Sequence, residues 1–367
     1  MDPRLWLGST FAMRCGWIRQ ARRMVEQDQI PPAYQQTVAN LSSAYFLGSL
    51  LTRHMTRIRA GFSPVELLIA ITDWCPHSCQ YCYNRSGAGE RKASYINLDK
   101  LDALLDEVKR AFGIRFAIIT GGEPFPYVLE LASRRPDFVF FTYTSGNINA
   151  RMCKEMVQLG NIVPALTIVD TNPDVHDRIR GQDSLRRVMT AKDLLQTFHL
   201  PWGWSLTSSQ ANYHQIVEGN LLEKLAAHGP HFIRAMPWMP VGRSDVNQVL
   251  SPEQMASVGN QIRKAKQRGI EVFDYITAPV GYPCLAGGRR SFFLASDGKD
   301  GLRMSPCVFM EGEISVPLSF QPDGTSSLIE TLKTHPWFAR ARQLAGKHQC
   351  IIHANRDNWA QLIRQDN

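Results

Sequence analysis

Residues 72–84 read TDWCPHSCQYCYN, and this stretch decides how the rest of the chain is read. Cys75, Cys79 and Cys82 stand in a C-x3-C-x2-C arrangement, and with eight cysteines in 367 residues such a triplet arises by accident about once in 400 chains. Three thiolates on one short loop can wrap three irons of a cubane cluster. With no fourth cysteine beside them, one iron stays open to another ligand. A single zinc ion would need a fourth donor, and His77, two residues from both Cys75 and Cys79, is cramped for a tetrahedral site. The spacing favours iron–sulfur chemistry over zinc.

The flanking pattern sets the fold. VELLIAI at 65–71 is an apolar run that ends in the cysteine loop, and further strands are expected near 114–120, 137–144, 162–169, 202–208, 231–236 and 270–276. Helices alternate with them. The clearest starts from Asn97 as N-cap and carries Leu98, Leu101, Leu104, Leu105, Val108 and Phe112 on one face, and others are expected over about 149–159, 184–197, 213–228 and 252–268. Repeated βα units imply a parallel sheet covered by helices, and six or seven of them point to an α/β fold of the partial (β/α)6 TIM-barrel type. In such barrels the active groups sit on the loops after the strands, where this cysteine loop lies. The alternation stops near Pro279. The expected division is therefore a basic, mainly helical segment at 1–62, the partial barrel at 63–278, and a small cysteine-containing extension at 279–367.

Composition narrows the class. With 44% apolar and 20% charged residues the chain can bury a large core, which excludes disordered, collagen-like and coiled-coil proteins. Sparse cysteines and an N-terminus broken by Arg14, Arg19, Arg22 and Arg23 argue against a secreted, disulfide-stapled module, so reduced thiols and a cytoplasmic location are expected. No apolar run approaches the roughly 20 residues that span a bilayer. Of the net charge of +8, a surplus of five sits in residues 1–60, which hold eight arginines, no lysine and three acids. There Ala44, Leu47, Leu50, Leu51, Met55 and Ile58 recur at helical spacing, with Arg53 and Arg57 on another side. The expected role is a helix packed under the main domain, with weak contact of residues 41–60 with an anionic membrane surface as the alternative. No nucleic-acid partner is expected.

The cysteine loop, with Tyr81 before its last cysteine, resembles the signature of the radical S-adenosylmethionine (SAM) superfamily. Gly121, Gly122, Glu123 and Pro124 after the second strand match that family's GGEP stretch, which implies binding of the SAM amino group. Thr144, Ser145 and Asn147 in TYTSGN stand where the family binds ribose. Within TNPDVHDRIRG, His176, Asp177, Arg180 and Gly181 match the H-D-x-x-R-G stretch common in members with a C-terminal cysteine-rich extension, and Arg180 is implied as partner of the SAM carboxylate. In WSLTSSQAN, Ser205 and Asn212 match, with Ser205 implied to face SAM, while Pro240, Gly242 and Arg243 resemble a structural P-x-G-R turn.

Further on, Cys284, Ala286, Gly287, Asp297, Gly298, Pro306 and Cys307, followed by Cys350, resemble a SPASM or twitch extension. A full SPASM domain needs about seven cysteines for two auxiliary clusters. Three allow at most one second 4Fe-4S cluster, held by Cys284, Cys307 and Cys350, the alternative being a degenerate extension of buried thiols. Cys15 and Cys153 fall outside both groups, and no individual catalytic side chain is singled out.

The resemblance implies a 4Fe-4S cluster and SAM as cofactors, a reductant such as flavodoxin or ferredoxin, and a 5'-deoxyadenosyl radical that abstracts hydrogen from a peptide or small-molecule substrate. With an auxiliary cluster the outcome is an oxidation or cross-link. Without one, epimerisation, rearrangement or radical addition on a lipid or small metabolite is the alternative, and a non-catalytic iron–sulfur scaffold is the reading from outside enzymology.

Overall fold

The computed structural model describes residues 31, 33–35, 64, 66–87, 94–275, 284, 286–345, 350–355 and 357–364. The basic helix expected at 41–60 and Cys15 lie outside them. Seven strands run parallel in chain order: β1 (Glu66–Thr72), β2 (Phe116–Gly121), β3 (Val139–Thr144), β4 (Ile162–Ile168), β5 (Gly203–Ser208), β6 (Phe232–Pro237) and β7 (Val272–Asp274). Beyond β1 the sheet continues into β8 (Ser291–Ser296), parallel to β1, and then the antiparallel β9 (Leu302–Ser305) and β10 (Val316–Pro317). The order β10-β9-β8-β1-β2-β3-β4-β5-β6-β7 does not close, so the barrel is partial.

Period-two alternation divides the strand side chains between two apolar layers. The outward set packs under α1 (Leu98–Phe112), α2 (Tyr127–Arg134), α3 (Ala150–Leu159), α4 (Pro173–Arg180) and α5 (Ser184–Thr197), and under α6 (Tyr213–Val217), α7 (Leu221–Ala226) and α8 (Pro252–Gln267). The inward set, including Ile118, Val139, Phe141, Val163, Ala165, Phe232 and Phe273, plugs the lumen. Gly203 has no side chain because a Cβ there would stand 2.3 Å from the Phe232 ring.

Asn97 caps α1 as expected, its side chain accepting from Lys100 N at 2.9 Å, and Leu101, Leu104, Leu105, Val108 and Phe112 are buried beneath it. Each such side chain contributes about 1.5–3 kcal/mol of burial. The single helix expected over 213–228 is broken into α6 and α7, with Asn220 in the left-handed region at φ 54° between them. Helices α2 and α4 are too short to show a clear period in the sequence. Tyr34, from the N-terminal segment, buries its ring and donates to Ile162 O at 2.6 Å, which ties that segment to the start of β4.

The remaining helices, α9 (Leu328–Thr334), α10 (Pro336–Ala345), α11 (Ile351–Ala354) and α12 (Trp359–Arg364), follow β10. A second apolar cluster of Met239, Ala286, Met310, Ile314, Ala341, Ile351, Ile352 and Trp359 packs here, with Cys284, Cys307 and Cys350 against it. Among the described residues no helix is long and apolar enough to cross a membrane.

Candidate active site at the strand ends

The cysteine loop after β1 is held from several directions. Asp73 accepts from Asn84 Nδ2 at 2.7 Å and from Ser94 Oγ at 2.6 Å, which ties together the two ends of the excursion. On the far side, Gln80 N donates to Ile179 O at 2.9 Å and its side chain to Arg178 O at 3.0 Å, so α4 braces the middle of the loop. The turn after β6 closes the third side. Arg243 N donates to Cys82 O at 3.1 Å, and its guanidinium donates to Ser86 O at 2.5 Å. At Gly242, φ is 68° and a Cβ would stand 2.3 Å from Cys82 O, so the close approach of this turn to the loop requires glycine.

The end of β2 meets the same loop. Gly122 N donates to Thr72 O and Glu123 N to Trp74 O, both at 2.7 Å, and a Cβ on Gly122 would stand 2.0 Å from Trp74 O. The two glycines therefore make room for the cysteine loop itself. Glu123 is wholly buried: its carboxylate accepts from Phe125 N at 3.2 Å, Thr144 Oγ1 at 2.8 Å and Ser145 N at 2.7 Å, and from Ser145 Oγ. It clamps the β2 end to the β3 end.

At the mouth of the barrel these loops enclose a cavity of about 320 Å³. Its wall contains Cys75, Cys79 and Cys82 on one side and Cys284, Cys307 and Cys350 on another. Of the other residues singled out in the sequence, Tyr81, Gly121, Gly122, Thr144, Ser145, Arg180, Ser205 and Ala286 line it, whereas Glu123, Pro124 and Asn147 do not. Asn147 donates instead to Phe125 O at 3.3 Å. Arg180 is buried, packs its guanidinium over the Tyr81 ring and donates to the Tyr81 hydroxyl, and its carbonyl lies 3.8 Å from the Cys79 sulfur. His176 does not face the cavity. It is wholly buried, with Nδ1 accepting from Val169 N at 3.2 Å, and burial pushes its pKa down to about 3. Asp177 accepts from Ser184 Oγ and Leu185 N and so caps the start of α5.

Among the described residues no three His, Cys, Asp or Glu side chains gather tightly enough for one metal ion, while each cysteine trio faces common space. Burial pushes the pKa of Cys75 and of Cys307 up to about 12, so these thiols ionise only when a cationic centre balances the thiolate. Ser86 N points at the Cys82 sulfur at 3.3 Å, the kind of N–H···S contact that tunes iron–sulfur centres. In the extension, a hydrogen bond to Cys284 and burial raise the Cys350 thiol. Cys153 is a core residue on the buried face of α3.

Several wall residues had no sequence signal. Arg234 and Met236 on β6 and Glu66 on β1 reach the cavity through strand alternation with no short motif to mark them, and Tyr143 on β3, although inside TYTSGN, carries no role in that motif.

Comparison with known proteins fits this geometry. The profile described as the radical SAM superfamily matches residues 69–202. The PqqA peptide cyclase of Gluconobacter oxydans (strain 621H) is 25% identical over 256 residues, covering 66% of this chain and 70% of that protein. The sporulation killing factor maturation protein SkfB of Bacillus subtilis (strain 168) is 22% identical over 224 residues, 59% of this chain and 53%, about half, of its own length. Among solved structures, Streptococcus suis SuiB bound to precursor peptide SuiA superposes with a TM-score of 0.64 at 12% identity, covering 90% of this chain and 80% of that one. SuiB bound to S-adenosylmethionine superposes equally well at 13% identity, and these likenesses concern the fold. The cysteine loop, the open parallel barrel and the matched profile agree: over residues 69–202 the chain is similar to the radical SAM superfamily, and it is an enzyme.

Proposed function

We propose that this enzyme modifies a peptide, with Cys75, Cys79 and Cys82 holding the cluster that binds SAM and Cys284, Cys307 and Cys350 holding a second one. The observation that carries this reading is the shared cavity, whose wall contains both cysteine trios and the glycine-lined strand ends. When bound, the first cluster supplies the electron that cleaves SAM and yields a 5'-deoxyadenosyl radical. The chain's own residues bind and orient. Gly121, Gly122 and Ser145 offer backbone and hydroxyl groups to the methionine and ribose moieties, Arg180 offers a buried cation to the SAM carboxylate, and Ser205 offers a hydroxyl from β5. Glu123 and Asn147 act as positioning residues behind that wall. The apolar plug of the lumen excludes water below the reacting atoms. A second cluster in the extension would take up the substrate's electron, which suits oxidation or cross-linking.

The peptide reading draws on the PqqA peptide cyclase and on SkfB as relatives, and on SuiB as a fold neighbour bound to its precursor peptide. Its test is anaerobic reconstitution with iron and sulfide, followed by iron analysis and mass spectrometry of short peptides encoded beside the gene. The expected iron content is about eight per chain in the wild type and about four when either trio is changed to alanine. Full wild-type iron in the Cys284, Cys307, Cys350 variant would remove the second cluster from the account. Absence of any SAM-dependent mass change in every peptide would direct the search to small metabolites or lipids.

A further inference from the structure

Arg234 sits midway along β6 with its side chain in the lumen, in register with Ser205 of β5 and Phe273 of β7. It is 8% exposed. Its guanidinium lies 4.2 Å from the Tyr275 ring centroid, 5.1 Å from that of Phe141 and 5.3 Å from that of Tyr143. Three ring faces hold it in place through cation–π contacts. They do not supply a counter-ion. Among the described residues Arg234 has no ion pair, and its Nε has no hydrogen-bond partner. The carboxylate nearest in chemistry, Glu66, is already paired with Arg290 at 2.6 Å.

A buried guanidinium is costly unless an anion meets it, and an apolar side chain like its neighbours Phe232 and Met236 would fill the same place without that cost. The position makes sense if an anion arrives with a ligand. We propose that Arg234 is the seat for a carboxylate of the substrate, an acidic side chain of the peptide, which would be held there by paired N–H donors while the carbon to be attacked lies nearer the cysteine loop. This rests on the peptide-modifying reading above. The other source of a carboxylate is SAM itself. Arg180, beside Cys79 and Tyr81 on the loop side of the cavity, is the cation placed for that one, whereas Arg234 belongs to the strand wall with Tyr143 and Tyr275. The aromatic packing fixes the guanidinium before any ligand arrives, which lowers the ordering cost of binding.

The test uses the anaerobically reconstituted full chain and two probes, acetyl-Ala-Glu-Ala-amide and its isostere acetyl-Ala-Gln-Ala-amide, titrated calorimetrically. The wild type is expected to bind the glutamate peptide about tenfold more tightly than the glutamine peptide. Arg234→Met should abolish that preference, and Arg234→Lys should keep part of it. Equal binding of the two peptides by the wild type, a comparison that needs no variant, would overturn the proposal. So would a preference that survives in Arg234→Met. SAM affinity from equilibrium dialysis separates the sources: if Arg234→Met weakens SAM by as much as it weakens the glutamate peptide, the seat serves SAM. Failure of the underlying reading shows elsewhere, as a wild type that cleaves SAM to 5'-deoxyadenosine yet changes the mass of no peptide, whatever its peptide preference.

Discussion

The carboxylate of Glu123 accepts four hydrogen bonds and touches neither solvent nor the cavity. All four partners are donors. A glutamine at this position would turn an amide N–H₂ toward one pair of them, leaving buried donors facing each other, so Glu123→Gln should lower stability by about 1–3 kcal/mol, measured by urea unfolding of the protein without SAM. If the side chain acted only as a SAM ligand, the substitution would leave that stability unchanged. His176 gives a pH test with a definite sign. Its folded pKa of about 3 lies below the unfolded value of about 6.5, so the unfolded chain takes up the proton first and stability falls as pH drops below 6.5. Between pH 7 and pH 5 the wild type should lose about 2 kcal/mol more than His176→Gln, whose side chain does not titrate. Equal losses would show that the imidazole is solvated in the folded state. Neither role could be read from sequence. A GGEP stretch or a His-Asp pair invites a ligand or a base, and only the fold shows that Glu123 is enclosed by the β3 end and His176 by the backbone after β4.

At the scale of elements, the turn at Pro240–Arg243 shows how far the cysteine loop depends on segments distant in sequence. Because a Cβ on Gly242 would meet Cys82 O and Tyr83 O at 2.3 and 2.6 Å, Gly242→Ala must push the loop or the turn aside. The backbone there also carries a positive φ, which costs a non-glycine residue about 1 kcal/mol or more. The expected result is a folded protein with less reconstituted iron, from about four to below about two per chain at the first site in a background lacking the second trio. Full iron loading in that background would contradict a bracing role. The strands and the long helices were legible in the sequence because they carry strong periods and caps: Asn97 starts α1, and Ser251 starts α8 with a reciprocal capping box to Gln254. Helices α2 and α4 escaped notice because eight residues hold barely two turns. The break between α6 and α7 escaped because the apolar positions of both keep one phase across the left-handed Asn220.

For the whole molecule, the parallel βα order was readable from alternation, but the way the extension joins it was not. Strand β8 pairs with β1 across more than 200 residues of chain, and that long-range pairing carries Cys284 and Cys307 to the wall that also holds Cys75. Sequence spacing can group cysteines into local sets. It cannot show that two sets face one cavity. The basic surplus of the first 60 residues remains an expectation about a segment outside the described residues. The central claim, that Cys75, Cys79 and Cys82 make this cavity a site of reductive SAM cleavage, is tested most directly by incubating the reconstituted wild type and its Cys75, Cys79, Cys82 to alanine variant anaerobically with SAM and dithionite and quantifying 5'-deoxyadenosine. The wild type is predicted to form it and the triple variant to form none. A wild type that carries an intact cluster yet forms none, or a triple variant that forms as much, would contradict the claim.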